Sequence, residues 1–447
     1  MMPNQKVFLI HGWSVRSTQT YQSLHLKLAE NGFQLQDVFL GRYVSLENDV
    51  EISDISKALH NALDAALKGN WDQSFHLITH STGGLVVKHW VVNNYAGEYS
   101  KAKGLQNIVH LASPHFGSRL AHYGRSMLGQ VMELGESGKK ILASLELGSK
   151  MSWEVNEQYF DKKNWKDKGI RIYNLIGDRV TNDRFKSKIF PAAYEPGSDM
   201  VVRVAAANLN FKRFLLDGRA NKFSLVGEIK EIPFGALYEN THSNSDYGIL
   251  NNIKKKSNPQ QQLNLKLILE CLKVSDDNTY AQAKTSLTNA TIETRSKKQS
   301  FAQLDFRFKD EDGRPVDDYL FTLGAMVNGK RKPSKTVCHT HKNTVHPNHF
   351  TVFINLKELE PHLTYFIDIN SESGCELFSY SPDPLVITAE PNDITNIIVE
   401  DQTTQVDVIL SRNPSGNLFV FHKGDDKDLH VKWDRKGIVK KKKIQPR

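Results

Sequence analysis

Through residues 1–275, short apolar runs alternate with longer stretches whose apolar residues recur at helical spacing. KVFLI (6–10) stops at His11-Gly12 and predicts a first strand. EISDISKALHNALDAALK (51–68) spaces Ile, Leu and Ala helically behind capping-competent residues and predicts a helix. SFHLITH (74–80), LQNIVHLA (105–112) and GIRIYNLIG (169–177) predict three more buried strands, with the apolar helix GGLVVKHWVVNNY (83–95) after the first of them. This alternation implies an α/β class: a mostly parallel sheet with helices on both faces. An insertion at about 118–167 has Gly-containing turns and helically spaced apolar residues, including Leu142, Leu145 and Leu147, and predicts a helical lid. After LNLKLILECLKV (263–274) the chain turns polar, which predicts a linker over 276–298. Beyond it, SFAQLDFRFKDEDG, HFTVFINL, TYFIDINS and DVILS alternate apolar and polar positions between Gly, Asn and Asp turns. Residues 299–422 are therefore expected to form an all-β, sandwich-like domain.

Composition adds bounds. A chain of 447 residues, 39% hydrophobic and 24% charged, calls for at least two cores. No apolar stretch approaches the ~18 residues of a membrane-spanning helix. The opening MMPNQKVFLIHG has too short an apolar run for a secretory signal. The expectation is a cytoplasmic protein, or one exported by a route that needs no N-terminal signal peptide. Cys271, Cys338 and Cys375 are scattered and odd in number, so no disulfide framework is implied. The net charge of +8 is uneven: residues 423–447 hold ten Lys or Arg against four Asp, a net of +6. Such a tail is either a solvated end or an attraction to anionic lipid headgroups. The rest of the chain is close to neutral and holds no nucleic-acid module, so no nucleic-acid partner is expected.

The sharpest chemical signal lies in LITHSTGG (77–84), where a buried strand ends just before Ser81 and a helical run follows. This is the setting of a nucleophile elbow, a strained turn that lifts a serine oxygen above the sheet. Thr79 replaces the first glycine of G-x-S-x-G, and a helix N-cap serine is the alternative reading. His11-Gly12 ends the first strand where such folds turn a backbone N–H toward a developing oxyanion. Trp13 and Thr82 are accordingly the expected oxyanion donors.

LASPHFGS (111–118) closely resembles the PHxGS signature of bacterial lipases, the lecithin-cholesterol acyltransferase group and PGAP1-like inositol deacylases. With the elbow, the chain resembles an α/β-hydrolase of the lipase and esterase kind over about residues 5–273. The resemblance implies esters of fatty acids or phospholipids as substrates, and no cofactor. It also implies an acid and a histidine after the serine. EPGSDMVVRVAAANL looks like the DGxV segment that carries the lipase aspartate, which points to Asp199; Asp178, in NLIGDRV just after a predicted strand, is the other candidate. His242, in YENTHSNSDYGIL, occupies the place of the family's histidine loop, whereas His11, His76, His80, His89, His110 and His115 read as structural.

Ser81, His242 and one of the aspartates would make a serine esterase, with lipase or phospholipase action the leading reading. Amidase or acyltransferase chemistry uses the same residues, and a non-catalytic relative that binds membranes or glycans is a further class. Cys338, His341, His346 and His349 lie close together in CHTHKNTVHPNH, but their spacing matches no zinc-finger pattern, and no metal is assigned.

Overall fold

The computed structural model describes residues 5–12, 21–38, 49–95, 104–123, 138–161, 165, 169–181, 191–257, 262–373 and 377–414. Trp13, Cys375, the basic tail 423–447 and part of the insertion lie outside these.

The four predicted strands assemble as expected, joined by two further edge strands. β1 (Gln5–Ile10), β2 (Phe33–Val38), β3 (Phe75–His80), β4 (Leu105–Leu111), β5 (Arg171–Gly177) and β8 (Phe234–Leu237) form a wholly parallel sheet in the order β2-β1-β3-β4-β5-β8. Its inner strands are buried on both faces, which explains their unbroken apolar runs. Helix Ile52–Leu67 turns Ile52, Ile55, Leu59, Leu63 and Leu67 inward at i, i+3 or i+4 spacing. Thr82–Trp90 is buried almost all round and follows β3 with only Ser81 between them.

The second half holds two sheets around a separate core that includes Phe306, Ile367 and Leu385. One runs β11 (Lys330–Pro333), β10 (Tyr319–Val327), β14 (Tyr365–Ser371), β16 (Leu385–Ala389). The other is mixed: β12 (Val337–Lys342), β13 (His349–Asn355), β9 (Phe301–Asp310), β17 (Thr403–Pro414), β6 (Phe211–Asp217), β7 (Lys222–Ile229), with β15 (Phe378–Ser381) on β17. The sandwich-like expectation holds, but the boundary expected near 275 does not. β6 and β7 precede it in sequence yet complete the second sheet, because β17 pairs in parallel with both β9 and β6.

The linker expected at 276–298 is corrected too. Residues Asp277–Lys297 form one helix, opened by a capping box in which Asp276 Oδ1 accepts from Thr279 N at 2.8 Å. Its few inward positions, Ala283, Leu287, Ala290 and Thr294, pack on β8 at the edge of the parallel sheet. Thr294 Oγ1 donates to Ala236 O (2.7 Å), and Thr291 Oγ1 accepts from Ala236 N (3.0 Å). Threonines here satisfy the edge strand's backbone, so the helix needs little apolar surface and reads as polar.

The described part of the insertion is built in rather than loosely laid over the fold. Leu142 and Leu145, on helix Lys139–Leu145, belong to the first core, and Leu147 is fully buried. Glu146, wholly buried, accepts from His341 Nε2 (2.9 Å), Thr344 N (2.8 Å) and Thr344 Oγ1 (2.8 Å) of the second half. Burial pushes this carboxyl up, but His341 and Thr344 together hold it below its ordinary value. Leu147→Ala should therefore cost about 2–5 kcal/mol of stability, as core leucine truncations do. Urea unfolding followed by circular dichroism measures this, and a loss under ~1 kcal/mol would place Leu147 outside the core.

Candidate active site

Ser81 sits between β3 and the helix that starts at Thr82, with φ 55° and ψ −130°. A non-glycine residue rarely takes positive φ, so the surroundings must hold it there. Ser81 N donates to Leu111 O (3.0 Å), and Gly84 N closes onto Ser81 O (3.0 Å). Two glycines make room. A Cβ on Gly12 would lie 2.6 Å from Ser81 Cβ, and one on Gly83 would lie 2.3 Å from Ile10 O. Backbone from the end of β1 thus lies directly against the serine.

Thr79 does not crowd this elbow. Its hydroxyl lies 2.8 Å from His110 Nδ1 and 3.4 Å from Ser113 Oγ in a buried polar pocket. Burial, reinforced by the charge of nearby Lys88, pulls the His110 pKa down to about 3, so the ring is a neutral hydrogen-bonding group.

The acid and the histidine meet the serine. His242 Nε2 lies 2.9 Å from Ser81 Oγ, and His242 Nδ1 lies 2.8 Å from Asp199 Oδ2. Asp199 is fully buried, and its other oxygen accepts from Val201 N (2.9 Å) and Val202 N (2.7 Å). His242 N donates to Asp199 O at 2.8 Å, so the two loops are joined by backbone as well. Neutral His80, brought down to about 3 by burial and by His242, donates from Nε2 to His242 O (3.2 Å). Carboxylate, imidazole and hydroxyl form a continuous relay in which Nδ1–H donates to Asp199 and Nε2 accepts from Ser81. Met200 stands where the DGxV pattern has glycine; its φ of 83° is a conformation glycine takes without strain.

Asp178 has a different partner. It forms an ion pair with Arg295 Nη1 at 2.9 Å, and Arg295 Nε also bonds Asp401 (2.7 Å). Of the oxyanion pair, Thr82 begins the helix, where N–H groups lack intrahelical partners, and Trp13 lies outside the described residues.

The PHxGS-like segment ties this centre to its neighbours. Phe116 N donates to Ala206 O (3.0 Å), Ser118 Oγ to Val201 O (2.5 Å) and Ser118 N to Leu145 O (2.7 Å). Gly117 has φ 88°, and a Cβ there would lie 2.7 Å from Glu146 O. Residues 114–118 thereby hold the aspartate loop from one side.

The remaining histidines have structural surroundings: His11 pairs with Asp37 (3.1 Å), and His76 bonds Gln5 (3.1 Å). In the segment weighed for zinc, His341 bonds Glu146 and His349 Nδ1 bonds Gly148 O. Among the described residues no group of three or more His, Cys, Asp or Glu is placed to hold a metal. No helix among them is long and apolar enough to cross a membrane. Sequence reasoning missed Glu195, Arg203 and Arg295, which fasten the acid-bearing segments; Glu195 and Arg203 pair eight residues apart in no recognised motif, and the other partners of Arg203 and Arg295 are distant in sequence.

No protein-family model and no curated protein matches the chain. Solved structures do. Phospholipase PlaB from Legionella pneumophila is 25% identical, with a TM-score of 0.84 over 99% of this chain and 100% of that one. The same phospholipase in complex with thio-NAD gives 26% identity and a TM-score of 0.82 over 94% and 97%. The fold is that of an α/β-hydrolase with an appended β region, and likeness along the whole chain supports carboxylic-ester hydrolysis.

The tight contact at Gly12 generates a prediction. Gly12→Ala should lower kcat/KM on a soluble short-chain ester by about 10²-fold, since ~1 Å of misplacement costs that much in a positioned site. Ester kinetics alongside a thermal melt would separate this from unfolding; unchanged kinetics would mean that the β1 turn can move away from Ser81 freely.

Proposed function

We propose that the chain is a lipolytic serine hydrolase of phospholipase type, with Ser81 as nucleophile, His242 as general base and acid, and Asp199 as the residue that orients the ring. The observation that carries this reading is the relay from Asp199 Oδ2 through His242 to Ser81 Oγ, with contacts of 2.8 and 2.9 Å. Lipid as substrate class is supported by the full-length likeness to a phospholipase.

In the first half-reaction Ser81 Oγ attacks the ester carbonyl carbon while its proton passes to His242 Nε2. The carbonyl oxygen becomes an oxyanion, received by Thr82 N–H and, on the sequence assignment, Trp13 N–H. Donors of this kind are worth about 3–4 kcal/mol each. The carbon–oxygen bond to the alcohol breaks, and Nε2–H protonates the departing alkoxide, leaving acyl-Ser81. Water then gives a proton to Nε2 and adds to the acyl carbon. Collapse releases the fatty acid and restores the serine hydroxyl. Asp199 stays ionised throughout and fixes the ring tautomer.

Acyl transfer to an alcohol and amide cleavage would use the same relay; product identity distinguishes them. The PGAP1-like resemblance rests on Pro114–Ser118, whose bonds described above serve the aspartate loop and give inositol-ester cleavage no added support. We assign the basic tail to anionic membrane surfaces.

Ser81→Ala should abolish release of fatty acid from phospholipid and of p-nitrophenol from short esters while leaving the melting temperature nearly unchanged. Turnover above a tenth of wild type would remove Ser81 from the nucleophile's role. Asp199→Asn should lower kcat on the order of 10⁴-fold, as in triads where the acid sets the tautomer. Asp178→Asn should leave the relay working, and the opposite ranking would transfer the acid's role to Asp178. Deleting residues 424–447 should weaken sedimentation with phosphatidylserine vesicles at low salt, an effect that screening over ~10 Å at 0.1 M largely removes. Equal binding with and without the tail would make it a solvated end.

A further inference from the structure

We infer that Arg203 is a positioning residue for the reaction, and that the second-half β-sheet is the socket through which it holds the acid loop. The inference rests on Asp199 acting as proposed above. Arg203 is 2% exposed and sits at the root of the loop whose tip carries Asp199. The loop closes on itself: Val204 N donates to Gly197 O (2.9 Å), Asp199 N to Val202 O (3.1 Å), and Ser198 bridges to Arg203. Movement at the root therefore reaches the carboxylate within a few bonds.

Every polar edge of the guanidinium is used. Nε and Nη2 form a fork on Glu195 at 2.9 and 3.1 Å, closing the loop on its own chain. Nη1 donates to Gln303 Oε1 (3.1 Å) on β9, and Nη2 to His339 Nδ1 (3.0 Å) on β12. Its plane lies over Phe353 of β13, 4.1 Å from the ring centre. One side chain thus binds the acid loop to three strands of the other core.

Neighbouring groups fit this role. Burial pushes the Glu195 carboxyl up, but Arg203 and Arg119 hold it below its ordinary value, so the fork stays ionic. Burial, then the charge of Arg203, brings His339 down to about 4, so the ring is neutral, and with the donor Arg203 Nη2 at Nδ1 the fitting tautomer carries its proton on Nε2. Gly197 has φ +75°, and a Cβ on it would meet the Phe301 ring of β9 at 2.3 Å. Thr403 Oγ1 of β17 donates to Ala205 O (3.0 Å), and Gln303 Nε2 to Phe116 O (3.3 Å). The loop that presents Asp199 lies in a mould formed by the second sheet, and Arg203 is its charged pin.

A merely structural arginine would change stability and leave the folded enzyme's turnover alone. A positioning arginine changes kcat. The test uses full-length Arg203→Lys and Arg203→Met, with turnover of a soluble p-nitrophenyl ester corrected for the folded fraction. The low-field proton resonance of the His242 Nδ1–H to Asp199 bond is recorded in parallel. We expect kcat to fall about 10–100-fold in Arg203→Met and less in Arg203→Lys, which keeps the charge but loses the fork. KM should stay within about twofold, because no substrate contact is removed, and the low-field resonance should shift or broaden. Should Arg203→Met fail to fold, Arg203→Lys decides. Wild-type kcat per folded molecule together with an unmoved resonance would overturn the inference. Retained turnover in Ser81→Ala would instead strike the reading of the relay, so the two failures are distinguishable.

Discussion

Residues 195–203 lie against the second sheet, and the carboxylate at the tip of that loop faces His242 while Arg203 at its root is held by Gln303, His339 and Phe353 of that sheet. A buried carboxylate is expensive unless its lone pairs are occupied. Asp199 meets this with two backbone N–H groups of its own loop and one ring N–H from His242. None of these donors can be placed without fixing the loop, and the loop is fixed from both halves. The appended β region therefore takes part in holding the loop that places Asp199 beside His242.

The serine side obeys a steric constraint. Close approach of β1, β3 and the helix after Ser81 is possible only because positions 12 and 83 lack side chains. Beneath them the polar residues are neutral and paired: Thr79 with His110, and His80 with the carbonyl of His242. Hydrogen bonds between uncharged groups set geometry without bringing a competing charge near the relay.

Much of this was legible in the sequence, for identifiable reasons. Buried parallel strands read as unbroken apolar runs, and Ser81 directly follows one; Asp199 and His242 were named from the likeness of their segments to those of lipases, and the fold brings the three side chains into contact. Asp178 remained a candidate because its partner, Arg295, lies on a helix that the sequence presents as a polar linker. That helix was hidden because threonines take the place of an apolar stripe. β6 and β7 could not be assigned to the second sheet because their partner β17 lies far along the chain. Arg203 was invisible for the same reason, since nothing near it in sequence announces Gln303, His339 or Phe353.

The parallel pairing of β17 with β6 also sets a timetable. Phe211 waits for Thr403, about 190 residues later, which at roughly 5–20 residues per second is an interval of about 10–40 s on the ribosome. During that time β6 has β7 on one side and an unpaired edge on the other, the kind of edge that invites wrong partners or a chaperone. Until residues 301–355 follow, the loop carrying Asp199 also lacks Gln303, His339 and Phe353, the partners that later grip Arg203. The nascent chain can build its parallel sheet early, but the sheet against which the Asp199 loop rests is completed only when β17 arrives.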